Sequence, residues 1–392
     1  MKFTLNIVRQ RCCRTRFWQP SPRFGSVISG AFALFLIPLL FFSGQSYGQS
    51  ADIDQIRNGS IGFTSTTPTA DWVNGNAGPT NAHFSEGWSI PYRIKIDGLV
   101  GTSSTVHTLV IEWDTKDQNG HAIDYITNYA NFDNPDGSHV FTFGHAEETV
   151  DPTLGLSFSG SPALFPIPPP TDFGGSSEVS GQPTASFNSL PSQTGNANIN
   201  KMAIWGGTIT GIVYSTEDVP DASTASTKTT CTITFTSTGS TALIAWGGHI
   251  AAEYDWGLGR GASGVSGSPY HTRLISIDGT GGNQDRSLKA DAVIIPPTCS
   301  VDGPRLLCKE TNSLTYTSTA DLIHGAVTYA WTLVNNTANA IISGSSTGST
   351  ITVTPNPSSG DFTAGGKFNV QLIVTRNGAT HTCYLGSDVS PG

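Results

Sequence analysis

The strongest constraint on this chain is an alternation of side-chain character with period two, because successive residues of a β-strand point to opposite faces. Cys231, Ile233 and Phe235 alternate with Thr232, Thr234 and Thr236, the pattern of an antiparallel strand with one face in a core. Tyr92, Ile94 and Ile96 alternate in the same way with Arg93 and Lys95. His107, Leu109, Ile111 and Trp113 share one face of a further strand, leaving Val106, Thr108, Val110, Glu112 and Asp114 on the other. The run Ala242 to Trp246 follows at hairpin distance after Ser237-Thr238-Gly239-Ser240. No helical stripe exceeds two turns, so the expected fold class is all-β. Only 12% of residues are charged and 44 are glycine, which suits short strands joined by tight turns.

Residues 1–48 stand outside this rhythm. Lys2, Arg9, Arg11, Arg14, Arg16 and Arg23 precede an apolar run from Val27 to Phe42, followed by small and polar residues through Ser46 and Gly48. Basic, apolar, small is the order of a secretory signal peptide, expected to be cleaved after Gly48. An uncleaved N-terminal anchor is the alternative, given the length of the basic stretch. Without the leader, 14 basic residues face 29 acidic ones, a net charge of −15. Such a surface repels phosphate backbones, which argues against nucleic acid or an anionic membrane as partner and suits divalent cations or neutral glycans. No later run is apolar enough to cross a bilayer. The expected location is therefore secreted or at the cell surface.

Two domains follow the leader. In residues 49–297, expected to form a β-sandwich, the alternation fails between about Glu147 and Asn200. That stretch carries Pro152, Pro162, Pro166, Pro168, Pro169, Pro170, Pro183 and Pro191 among Ser and Gly. Proline removes the amide donors a sheet needs, so the expectation is a long surface insertion, with an interdomain linker as the alternative. Ile294-Ile295-Pro296-Pro297 makes a stiff junction. Residues 298–392 then show short strands around Leu314 and Tyr316; Val327, Tyr329, Trp331 and Leu333; Ile351 and Val353; and Phe368, Val370, Leu372 and Val374. Their number and spacing fit an immunoglobulin-sized sandwich. Cys231, Cys299, Cys308 and Cys383 remain after the leader, an even number that reads as two disulfides with three connectivities open.

Cys308, Tyr329-Ala330-Trp331 and the alternation Phe368 to Val374 leading into Thr382-Cys383 resemble the PKD and immunoglobulin-like repeats of Bacteroidetes-type surface proteins. The acidic Gly-Asp turn usual in PKD domains is absent. The resemblance implies a Cys308–Cys383 bond, which would leave Cys231 to pair with Cys299. Upstream, Gly87-Trp88-Ser89-Ile90-Pro91-Tyr92-Arg93, Ile111-Glu112-Trp113-Asp114 and His121-Ala122-Ile123-Asp124-Tyr125 mark residues 56–295. So do Ala245-Trp246-Gly247-Gly248-His249-Ile250-Ala251, Asp255-Trp256-Gly257 and Gly267-Ser268-Pro269-Tyr270-His271. Together they resemble an uncharacterised module of secreted, adhesin-like bacterial proteins. The resemblance implies export and surface display and no known reaction.

Three constellations could carry chemistry. Glu112 and Asp114 sit at i and i+2 of a strand and so project together. Laminarinase-like glycosidases carry Glu-x-Asp-x-Glu on such a strand, but Lys116 occupies the third position here. Asp114, Asp117 and Asn119 around Gly120, with Asp124 beyond, offer oxygen ligands at calcium-loop spacing, although Asp and Asn also favour turns unaided. Asp133, Asp136, Asp278 and Asp285 fall in similar turns. The third group is Trp246, His249, Asp255, Trp256, Tyr270 and His271, which could bind a sugar by aromatic stacking or hold a transition metal. The plainer alternative is that its tryptophans fill a core and its histidines bond within a loop. No complete catalytic set is present, since Gly264-Val265-Ser266-Gly267 falls one residue short of a nucleophile elbow. The expected function is non-enzymatic binding or adhesion to an extracellular glycan or protein. A carbohydrate-active protein and a structural spacer are the alternatives.

Overall fold

The computed structural model describes residues 48–390 apart from 61–69, 103, 119, 133–149, 172–178, 195, 219–224, 268, 296, 321, 323 and 377–378. The expected leader up to residue 47 lies outside the described residues, as do Asn119, Asp133 and Asp136.

The protein is all-β, built as two sandwiches in succession. In the first, a seven-stranded sheet runs Asp71–Val73, Ser50–Arg57, Ser89–Asp97, Thr241–Ile250, Lys201–Trp205, Ala163–Pro166, with Ile123–Thr127 also paired to Thr241–Ile250. The facing six-stranded sheet runs Gly207–Glu217, Ser226–Ser237, Val106–Asp117, Tyr270–Ile277, Gln284–Leu288, with Gly120–His121 beside Val106–Asp117. Their inner faces carry the alternating residues. Tyr92, Ile94, Ile244 and Trp246 come from one sheet and Leu109, Ile111, Trp113, Ile233 and Phe235 from the other, all buried in one core. Each large apolar side chain there stabilises the fold by about 1.5–3 kcal/mol relative to exposure.

The strand Thr241–Ile250 is buried along its whole length after Thr241, which an alternating strand would not be. It is central, with Ser89–Asp97 on one side and Lys201–Trp205 and Ile123–Thr127 on the other. Ala242, Ile244 and Trp246 face the opposite sheet, whereas Leu243 and Ala245 face away and pack with Ala203, Trp205, Tyr129, Leu156 and Phe158. Leu156 and Phe158 of the proline-rich segment supply part of that cover. Ala163–Pro166 adds an edge strand, where proline is tolerated. Thr184–Thr194 is an 11-residue helix, longer than the two turns to which the sequence limits any helical stripe, and lays Phe187 edge-on against Tyr125 at 5.5 Å. Arg93, on the outward face, anchors the segment by donating to the carbonyls of Pro152 at 2.9 Å and Leu154 at 2.7 Å while pairing with Asp54 at 3.0 Å.

The second sandwich packs the sheet Cys299–Asp302, Leu314–Ala320, Thr350–Pro355, Ala340–Ser343 on the sheet Leu306–Leu307, Ala379–Val389, Lys367–Arg376, Thr328–Val334. Tyr316, Trp331, Val353, Phe368, Val370, Leu372 and Val374 form its core, separate from that of the first sandwich. The Trp331 indole also donates to the Gly348 carbonyl at 2.7 Å, so its one polar atom is satisfied inside.

The disulfide differs from the expected pairs. Cys299 bonds Cys383, their Cα atoms 6.2 Å apart, while Cys231 and Cys308 are free. Cys231 follows its own alternation into the first core beside Ile233 and Phe235, out of reach of any partner. The entering strand Cys299–Asp302 lies beside Ala379–Val389 where the two sheets of the second sandwich meet, and this makes Cys299 the early cysteine that ties the sandwich. Cys308 is exposed beyond the following turn.

Alkylation of the unreduced native chain labels Cys308 and spares Cys231, Cys299 and Cys383, as read by peptide mass spectrometry; labelling of Cys299 or Cys383 contradicts the pairing. Reduction lowers the stability of the second sandwich by about 2–5 kcal/mol, the usual worth of a bond closing a long loop, measured by denaturant melts with and without reductant.

Candidate functional site

The most concentrated set of polar side chains lies at the end of the central strand. Gly247 is there for lack of room: a Cβ would stand 2.7 Å from the Asn128 carbonyl and 2.8 Å from the Ser89 Cβ. The two neighbouring strands therefore close in on His249, which sits in register with Ser89 on one side and Tyr125 on the other. His249 is fully buried. Its Nδ1 proton goes to Asp124 Oδ1 at 2.7 Å, and Asp124 Oδ2 accepts from the Trp256 indole at 3.1 Å. The Tyr125 ring stacks on the imidazole at 4.2 Å, and His121 stacks on Trp256 at 3.6 Å.

A second chain of bonds runs outward from Tyr125. Its hydroxyl lies 3.0 Å from Ser186 Oγ, which donates to Asp255 Oδ2 at 2.8 Å, and Gln182 donates to Asp255 Oδ1 at 3.1 Å. Burial and the nearby charge of Asp124 push the Asp255 carboxyl above its ordinary range. Burial, together with Arg260 and Lys116, pushes His121 down to about 3, so the ring stays neutral against its indole. Beside this cluster, buried Glu86 accepts from the Glu253 amide at 2.9 Å and from the Ser263 amide and hydroxyl at 3.0 and 2.6 Å. Glu86 thereby fixes the loop from Glu253 to Gly264. Burial holds its carboxyl above the usual value against those three bonds.

Of the expected binding residues, His249, Asp255 and Trp256 come together here. Trp246 does not: it stacks on Tyr92 at 5.6 Å between the sheets, and Tyr270 is buried in the same core. His271 lies on the other sheet, its amide donating to Asp114 at 2.8 Å. Trp246, Trp256 and Tyr270 are each no more than 1% exposed, so sugar stacking on their faces is corrected to core packing. The sequence reading missed His121, Tyr125, Ser186, Gln182 and Glu86. His121-Ala122-Ile123-Asp124-Tyr125 was legible as a motif, but its aspartate was assigned to the preceding loop.

The paired carboxylates do project together, into an internal ion network. Arg273 donates to Asp114 Oδ1 at 2.6 Å and to Glu112 Oε1 at 3.4 Å, and Lys228 lies 2.9 Å from Glu112 Oε2. Burial pushes the Asp114 carboxyl up, but His271 and Arg273 together outweigh it and hold it below the ordinary range. Of the expected calcium ligands, Asp114 turns to Arg273 and His271 and Asp124 to His249 and Trp256, and Asn119 lies outside the described residues. Among the described residues, the group of three His, Cys, Asp or Glu residues with ligand atoms mutually within 4.8 Å is Cys299, His381 and Cys383. The His249–Asp124 pair matches the orienting half of a nucleophile relay, yet His249 Nε2 is buried with no hydrogen-bond partner among the described residues.

No family model matches the chain, and no curated protein matches it in sequence. Among solved structures, the PKD domain (329-428) of human KIAA0319 is 13% identical over 25% of this chain and 83% of that one, with a TM-score of 0.20. The Yersinia pseudotuberculosis adhesin InvE is 11% identical over 48% of this chain and 53% of that one, at 0.18. The ectodomain of mouse nectin-like molecule 4 is 9% identical over 81% and 97%, at 0.20. Likenesses of this size carry no argument about function, and the all-β architecture stands on the chain's own sheets. No helix among the described residues is long and apolar enough to cross a membrane.

Asp124→Ala leaves the indole of Trp256 and Nδ1 of His249 as buried donors without an acceptor, and costs about 2–4 kcal/mol in a denaturant melt. His121 contributes a pH dependence of definite sign. The unfolded ring takes up a proton near its ordinary 6.5, the folded ring near about 3, so stability falls as pH drops through that window. His121→Asn flattens the melting temperature against pH between those values; an unchanged profile contradicts the assignment.

Proposed function

We propose that this chain is a non-enzymatic secreted or cell-surface binding protein that engages an extracellular protein ligand with the loop Glu253 to Gly264 and the facing loop of the second sandwich. The observation that carries this is a set of large apolar side chains left in water around one glutamate–histidine contact. Leu258 and Leu322 are 59% and 58% exposed, and Tyr254 is 63% exposed along its ring while its hydroxyl end packs against Gly87. Between their loops Glu253 Oε2 meets His324 Nε2 at 2.9 Å, joining the first sandwich to the second. Exposed aromatic and aliphatic residues on a loop held rigid by Glu86 are what a protein interface uses as anchors, since little ordering entropy opposes their burial. The polar residues that the sequence offers for catalysis support the same reading, being committed to internal bonds. The net negative charge favours a neutral or basic partner.

Tyr254 is also the aromatic on which a sugar ring would stack, which makes a glycan ligand the competing reading. An array of matrix proteins and glycans probed with the whole chain separates the two. Binding to a protein that drops at least tenfold in Tyr254→Ser/Leu258→Ser, with an unchanged melting temperature, is the expected result. Retention on glycans alone favours the competitor. No retention on any member removes support for both and leaves the spacer role.

A further inference from the structure

Three ligand atoms converge where the linker enters the second sandwich. Cys299 opens the strand Cys299–Asp302, and His381 and Cys383, two residues apart on Ala379–Val389, share one face of their strand. His381 Nδ1 accepts the Cys299 amide proton at 3.2 Å, so the ring proton is on Nε2 and the Nδ1 lone pair is engaged by that amide, beside the two sulfurs. That nitrogen lies 3.6 Å from Cys299 Sγ and 3.8 Å from Cys383 Sγ. A tetrahedral zinc ion with Zn–S of about 2.3 Å and Zn–N of about 2.0–2.1 Å sets nitrogen and sulfur corners about 3.6 Å apart, and two sulfur corners about 3.8 Å apart. In the oxidised chain both nitrogen–sulfur distances are already of that size. The sulfur–sulfur edge alone departs, because in the oxidised chain it is a covalent bond.

We propose that Cys299, His381 and Cys383 are a zinc site of the reduced chain, an alternative use of the side chains that form the disulfide. The chemistry balances with a dithiol as reductant. The sulfur–sulfur bond breaks, each cysteine gains a proton, and the dithiol leaves as its own disulfide. Zinc then displaces the two thiol protons, the neutral imidazole binds through Nδ1 in place of the Cys299 amide, and water takes the fourth position. Rotation of the cysteine side chains parts the sulfurs by about 1.8 Å to reach the tetrahedral edge. The Cα atoms, 6.2 Å apart, can stay where they are.

The test uses the whole chain carrying Cys12→Ser, Cys13→Ser and Cys308→Ser, which leaves buried Cys231 as the one other thiol. Cobalt(II), a spectroscopic stand-in for zinc, is titrated before and after reduction with a phosphine. Expected are the visible absorption of tetrahedral thiolate-bound cobalt at one ion per chain after reduction only, its bleaching by zinc, and a rise in melting temperature of the reduced chain with zinc. His381→Ala should weaken cobalt at least tenfold and Cys299→Ser should abolish the thiolate bands, with circular dichroism of the oxidised His381→Ala chain reporting its fold. Absence of tetrahedral cobalt in the reduced chain overturns the site, whether that chain is folded or unfolds and is not restored by zinc. Equal cobalt binding by His381→Ala overturns it as well.

Discussion

The first sandwich depends on one strand being buried on both faces. A strand inside a two-layer sandwich normally buries one face and wets the other, and its sequence alternates accordingly. Thr241–Ile250 cannot, because Leu243 and Ala245 look away from the core and are covered all the same. The cover has to come from elsewhere in the chain, and part of it comes from Leu156 and Phe158 of the proline-rich segment between Val150 and Asn200. Prolines suit that duty. They let a segment lie over a sheet without offering unpaired amides to it, and where one strand does form, it forms at the edge.

The buried polar cluster follows from the same geometry. Once the strand is covered, a histidine near its end must be dehydrated, and a dehydrated imidazole needs an acceptor for its proton. Asp124 provides it and is in turn capped by the Trp256 indole, while Tyr125 closes the ring face. Residues that in isolation look like a ligand set are therefore better understood as the polar interior that two-sided burial creates. The contrast with Glu112 and Asp114 is instructive. On a one-sided strand the same kind of side chain keeps partial contact with water and is balanced by Arg273 and Lys228 instead.

Sheet membership was legible wherever one face is wet. The inward and outward sets of Ser226–Ser237 match their alternation residue by residue, as do Phe368 to Val374 in the second sandwich, and in Val106–Asp117 the match holds up to Ile111 and breaks at buried Glu112. Legibility fails where burial is two-sided or where partners are distant in sequence. The helix Thr184–Thr194 shows no convincing stripe and contains Pro191, so nothing in its own residues announces it. The candidate site was half visible: His249, Asp255 and Trp256 could be picked out, but Asp124 was ascribed to a nearby loop because its true partner is 125 residues away. The cysteine pairing failed for a related reason. Which early cysteine reaches Cys383 depends on the side of the sandwich from which the linker arrives, and spacing alone does not encode that.

The covalent tie between Cys299 and Cys383 also determines how the second sandwich would respond to being pulled. Tension transmitted along the chain from the first sandwich arrives at Cys299 and can cross directly to Cys383, 84 residues further on. The strands in between, with Trp331 and Phe368 of the core, are short-circuited and lie outside the load path, whereas Leu385 and Val389 lie beyond Cys383. With the bond intact the second sandwich is a link of nearly fixed length in which most of the core is spared from shear. With the bond open it becomes an extensible spring whose core strands must bear the load themselves.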